Sequence, residues 1–106
     1  MRKFVLFAGC AAALVSGRMQ AQDDAVAKGK EVFEQCSVCH NVDTDEKKIG
    51  PSLKGLYKHD KLKNGKKVTD DNVLAIINAG GGGMPAYSDT LSDAEKKNVI
   101  AYLKTL

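Results

Sequence analysis

An all-α fold of three main helices plus short helical turns is what this sequence predicts, on three observations. Apolar residues recur at helical spacing in three segments, and no segment shows the alternation of a half-buried strand. Once an N-terminal leader is set aside, about 85 residues remain, enough for one domain but too few for a generous core without a staple.

The leader comes first. Met1-Arg2-Lys3 is positively charged, and the run from Phe4 to Val15 is apolar apart from the small residues Gly9 and Cys10, too short for the ~20 apolar residues of a spanning helix. Residues 1–21 therefore read as a cleaved signal peptide and residues 22–106 as a single exported domain, periplasmic in a bacterium, with no transmembrane segment after processing. A cut after Ala21 is expected; Met19 is a poor residue at the minus-three position, and a cut after Gly17 is the alternative. Cys10 follows Phe7-Ala8-Gly9 as a lipoprotein acceptor would, but the apolar run before it is very short, so a soluble product without a lipid anchor is expected.

The first helix is expected to begin with Asp23 or Asp24 as cap and to run to about Cys36, with Val26, Gly29, Val32, Phe33 and Cys36 on one face. A short helical turn is expected around Leu53 to Tyr57. The second helix starts after Thr69, has Asp70 and Asp71 where a helix favours negative charge, presents Val73, Leu74, Ile76 and Ile77, and closes at Gly80. The third opens on Ser92-Asp93-Ala94-Glu95, a capping-box pattern, and carries Val99, Ile100, Tyr102, Leu103 and Leu106 to the end.

The first helix leads into Cys36-Ser37-Val38-Cys39-His40. Two thiols at this spacing can add to the two vinyl groups of one porphyrin, and the next residue can bring an imidazole under the iron. Three other chemistries use such a pair. A thioredoxin-like dithiol needs a βαβ context that the chain lacks; a zinc site would have to be closed by Cys36, Cys39, His40 and His59, since Cys10 lies in the leader; a simple disulfide is permitted in an exported protein. A covalent haem would also be the staple that so small a domain needs.

An iron bound by one imidazole has a further axial position, and a thioether there raises the potential. Beyond the leader the chain has one methionine, Met84, forty-four residues after His40, in an interhelical loop between the run Gly80 to Gly83 and Pro85. Methionines more often fill core gaps, but uniqueness, loop position and the glycine approach favour ligation. The glycines read as a place where backbone passes close to a flat ligand face.

Along its length the chain resembles the class I c-type cytochromes, small soluble monohaem proteins. The resemblance rests on Gly29-Lys30-Glu31-Val32-Phe33, on Cys36 to His40, on Ile49-Gly50-Pro51-Ser52-Leu53-Lys54-Gly55-Leu56-Tyr57, on Gly83-Met84-Pro85-Ala86-Tyr87, and on Leu91-Ser92 to Ile100-Ala101-Tyr102-Leu103. It implies the cytochrome c fold, with three main helices wrapped around one covalently bound haem c and the first and last crossing near Gly29. It implies thioethers from Cys36 and Cys39, His40 as proximal and Met84 as distal ligand, and a hydrogen bond from His40 to the Pro51 carbonyl. Leu53 joins the cofactor-binding set. So does His59, which stands where many relatives have an arginine for a haem propionate; no arginine follows residue 21.

Residues 22–106 carry thirteen lysines and thirteen acids, so the basic balance disappears with the leader and no nucleic-acid partner is expected. Lys47, Lys48, Lys54, Lys58, Lys61, Lys63, Lys66 and Lys67 stand against the single acid Asp60, which suggests a docking surface for an acidic redox protein. The expected function is a monomeric electron carrier rather than an enzyme. Two rivals remain: a haem peroxidase or gas-binding protein in which Met84 dissociates, and a cytochrome subunit of a larger dehydrogenase or oxidase.

Overall fold

A computed structural model describes residues 22–106. Residues 1–21, with the expected signal peptide and Cys10, lie outside it. Among the described residues there are three α-helices, α1 over residues 22–33, α2 over Asp70–Ala79 and α3 over Asp93–Leu103, with one 3-10 turn at Leu56–Lys58 and no strand. The all-α expectation holds.

The helix ends show where local chemistry overrides periodicity. Residues 22–24 are already helical, so Asp23 and Asp24 lie inside the first described turn rather than before it. α1 also stops at Phe33, three residues short of Cys36. The Phe33 carbonyl accepts from both Cys36 N (2.8 Å) and Ser37 N (2.9 Å), while the side chains of Gln35 and Ser37 take the Val32 and Glu34 carbonyls. Short polar side chains thus occupy acceptors that a continuing helix would use, and the chain tightens into turns through Cys39.

α2 begins and ends as its sequence requires. The Thr69 hydroxyl accepts from Asn72 N at 3.1 Å, and Gly80, at φ 64°, donates its N–H to the Ile76 carbonyl at 2.7 Å. α3 has a complete capping box: Ser92 Oγ accepts from Glu95 N at 3.1 Å, and Glu95 Oε1 accepts from Ser92 N at 2.9 Å. It ends at Leu103 rather than Leu106, because the Thr105 hydroxyl and N–H both turn back onto the Tyr102 carbonyl. The turn expected over Leu53 to Tyr57 is shorter and begins later, since Gly55 just ahead of it adopts φ 63°.

All three helices contribute to one core of Phe33, Val73, Ile77, Leu91, Val99, Ile100 and Leu103. α1 meets α3 at Gly29, where a Cβ would fall on the Asn98 carbonyl and come within 2.9 Å of Tyr102 Cβ. Only a residue without a side chain allows that approach, and its helix-propensity cost of about 1 kcal/mol is offset by packing on both sides. Four residues further along α1, the Phe33 ring meets the Tyr102 ring at 5.3 Å between centroids, tilted by 52°. The crossing near Gly29 is present.

Residues 41–69 are mostly irregular and are fastened by polar side chains to backbone carbonyls: Asn41 to Glu46 (2.9 Å), Lys48 to Ser37 (3.0 Å) and Asn72 to Lys67 (3.0 Å). One cluster ties this segment to two helices. Asp70 at the start of α2 accepts from the Tyr57 hydroxyl at 2.9 Å and from the Lys104 ammonium at 2.7 Å, and that ammonium lies 5.8 Å from the centre of the Tyr57 ring.

Candidate functional site

An apolar cleft, about 380 Å³ when the open solvent at its mouth is included, opens onto the core. Phe33, Ile77, Val99 and Leu103 line it from the three helices; Cys36, His40, Leu53, Met84, Tyr87 and Leu91 line it from the connecting segments. Four of the residues singled out by sequence, Cys36, His40, Leu53 and Met84, therefore share one enclosure.

His40 is held from two sides. Its Nδ1 lies 2.7 Å from the Pro51 carbonyl oxygen, and because a carbonyl can only accept, Nδ1 carries the hydrogen, the arrangement that in a neutral ring leaves the lone pair on Nε2. Behind the ring stands Gly50, where a Cβ would lie 2.6 Å from His40 Cε1, and the Gly50 N–H donates to the Cys39 carbonyl at 2.7 Å. Leu53 N, bound to the Asn41 carbonyl at 2.8 Å, continues the same seam. Pro51 thus acts through its carbonyl and does not line the cleft.

Cys36 and Cys39 are free, half-buried thiols. Burial pushes the Cys36 thiol up from its ordinary value, and the neighbouring Cys39 adds to the rise. Tyr87 is raised as well, first by burial and then by the two cysteines, which puts it in their electrostatic neighbourhood. Among the described residues no three His, Cys, Asp or Glu side chains are grouped to hold a metal ion, so Cys36, Cys39, His40 and His59 are not assembled into a zinc site. His59 is exposed and does not line the cleft.

Met84 reaches the cleft from a tight turn. Gly81 N donates to the Met84 carbonyl and Met84 N to the Gly81 carbonyl, both at 3.0 Å, and φ is positive at Gly80, Gly81, Gly82 and Gly83 (64°, 127°, 58° and 92°). The backbone supplies a reason of its own for the glycine run: side chains disfavour these dihedrals, and at Gly80 a Cβ would also run into the Met84 and Pro85 backbone, whereas at Gly81, Gly82 and Gly83 it would meet no protein atom within 4 Å. Beyond the turn, Tyr87 N donates to the Ile77 carbonyl at 2.9 Å and secures the strap on α2.

The donor set fits a haem: two unpaired thiols on one turn, an imidazole with Nε2 free, a thioether from a distant part of the chain, and apolar walls between them. Gly50 and Tyr87 were not foreseen as site residues. Gly50 gives no local signal, since its role depends on a ring ten residues away; Tyr87 is visible only as one aromatic after the methionine.

A family model described as cytochrome c oxidase, cbb3-type, subunit III, matches residues 24–103. The chain is 30% identical to cytochrome c2 of Rhodospirillum rubrum over 135 aligned positions, covering 100% of this chain and 99% of that one. It is 37% identical over 79 residues to cytochrome c6 of Synechocystis sp., covering 74% of this chain and 62% of the relative. To cytochrome c2 of Blastochloris viridis it is 45% identical over 58 residues, 54% of this chain and 43% of the relative. Among the described residues no helix is long and apolar enough to cross a membrane.

Proposed function

The chain belongs to the class I c-type cytochromes, which carry a covalently bound haem c, and from that premise we propose that it is an exported one-electron carrier whose axial ligands are His40 and Met84. One observation carries the reading: His40 and Met84 line the same apolar cleft, with Cys36 beside them.

When bound, the haem supplies a one-electron couple between ferric and ferrous iron. The chain's own residues set its conditions. Cys36 and Cys39 would hold the porphyrin through thioethers. The Pro51 carbonyl keeps the His40 hydrogen on Nδ1, orients the ring and makes Nε2 the better donor. Met84 offers a soft thioether, which favours the reduced state. Phe33, Ile77, Val99 and Leu103 exclude water and so keep reorganisation small. With His40 and Met84 both holding the iron, no place would be left for peroxide or a gas, which favours a carrier over a catalyst.

The eight lysines between Lys47 and Lys67 are all exposed, and Val38 and Ile49 are unusually open for apolar residues, at 62% and 72%. A basic surface with apolar elements suits a monomer that docks with an acidic redox protein, and its association rate should fall with ionic strength. Export is carried by residues 1–21, which have the charge and length of a signal peptide. Propionate contacts by His59 belong to the same reading, although its exposed position leaves it away from the cleft lining.

The test is the visible spectrum of the haem-loaded protein. The ferric parent should show the weak sulfur-to-iron charge-transfer band, Met84→Ala should lose it while keeping the haem, and the reduced parent should not take up carbon monoxide readily. A parent without that band sinks His40/Met84 ligation. A second reading has its own support: the description of the matching family favours a subunit docked to a larger oxidase. Co-purification with membrane proteins at low salt would favour that reading over a diffusing carrier.

A further inference from the structure

Lys96 is the one charged side chain buried among the described residues, at 9% exposure, and no carboxylate there forms an ion pair with it. It stands in the first turns of α3, where the helix dipole disfavours a cation. Burial, the missing counter-ion and the dipole all act against this placement. What the ammonium does have is a hydrogen bond to the Ser88 carbonyl at 2.9 Å.

Ser88 belongs to the strap that delivers Met84. One end of the strap is closed by the reciprocal Gly81–Met84 bonds, and the middle is attached to α2 by Tyr87 N and the Ile77 carbonyl. Past that point, Thr90 and Leu91 bond back only to Tyr87. The Lys96 contact is therefore what joins the middle of the strap to α3. A charged donor to a buried carbonyl is among the stronger hydrogen bonds available.

We propose that Lys96 is a positioning residue for Met84: by binding the Ser88 carbonyl it fixes the strap against α3 and sets how often the sulfur leaves the iron. The inference rests on His40/Met84 ligation. Removing the ammonium leaves the Tyr87 N–Ile77 bond as the strap's hydrogen bond to a helix, so the segment from Met84 to Ser88 shifts more freely against α3 and the site opens to exogenous ligands more often without the chain unfolding.

The experiment uses haem-loaded protein and follows cyanide binding to the ferric form, in which Met84 must first leave. Lys96→Met should bind about tenfold faster than the parent, as loss of a charged hydrogen bond implies, with a weaker sulfur-to-iron band and a lower potential. Lys96→Arg, which can donate to the same carbonyl, should return the rate to within about twofold of the parent. Ile100→Val, a core change away from the cleft lining that weakens the fold generally, should leave the rate unchanged. A parent-like rate in Lys96→Met overturns the inference, and so does an equal acceleration in Ile100→Val. A parent that lacks the sulfur band overturns the ligation reading and this inference with it, whereas a normal parent with an unresponsive Lys96→Met overturns this inference alone. Should Lys96→Met fail to fold, Lys96→Gln carries the same comparison.

Discussion

Gly50 and the His40 ring are in contact without any room to spare: a Cβ on Gly50 would lie 2.6 Å from Cε1 and 2.9 Å from Nδ1. Gly50→Ala must therefore tilt the imidazole or push the loop outward, and either movement strains the bond to Pro51. The expected result is a loss of about 1–3 kcal/mol in folding stability, as for other overpacked sites, with a shifted reduction potential. Denaturant titration and voltammetry of the haem-loaded variant measure both. An unshifted potential would mean that Gly50 only fills space.

Gly83, at φ 92°, immediately precedes Met84, whereas Gly65, at φ 83°, lies in the exposed lysine segment. Alanine at either position should cost about 1–3 kcal/mol through backbone strain. Their spectra should part. Gly83→Ala is expected to weaken the ferric sulfur band because the strained turn carries Met84, while Gly65→Ala should leave it intact.

Asp70 joins Tyr57 and Lys104, and the cluster has a definite pH dependence. The Lys104 ammonium holds the Asp70 carboxyl below its ordinary value of 3.8, outweighing burial, and the Tyr57 hydroxyl helps. A folded value below the unfolded one gives stability that is present above 3.8 and lost as the pH falls through the lower folded value. Tyr57 is pushed up from 10.0 by burial and by Asp70, so its contribution is present below 10.0 and lost as the pH rises through the folded value. With the Lys104 and Asp70 side chains 48% and 52% exposed, Lys104→Met should cost less than about 1 kcal/mol at pH 7. Thermal melts at a series of pH values check the sign: the gap between parent and variant should narrow as the pH falls below 3.8.

Ser92 and Glu95 satisfy each other's backbone N–H groups, and Ser92→Ala removes one half of that exchange. A loss of about 1 kcal/mol is expected, the usual effect of removing an N-cap. Hydrogen exchange should locate it in the first turn of α3.

Periodicity and capping chemistry carried most of the fold. Thr69, Gly80 and Ser92 act locally, within a few residues of the groups they satisfy, so α2 and the start of α3 were legible along the chain. The ends that moved, at Phe33 and Leu103, are places where the side chains of Gln35, Ser37 and Thr105 compete for backbone carbonyls, an outcome that apolar spacing does not encode. In the site, Cys36, His40 and Met84 announced themselves by rarity and spacing. Gly50 and Lys96 did not, because each acts on a partner that only the fold brings near. The glycines before Met84 stood out as a run, but their positive backbone angles, and the crowding of Gly80 against Met84 and Pro85, are visible only in the fold.

The crossing of α1 and α3 at Gly29 has a temporal side. A chain made from its N-terminus presents the turn bearing Cys36, Cys39 and His40 well before residues 93–103 exist to dock on α1. Until then Val99 and Leu103 are missing from the cleft wall. Docking of α3 on α1 is thus the step that completes the cleft wall, and Gly29 is the point on which it turns.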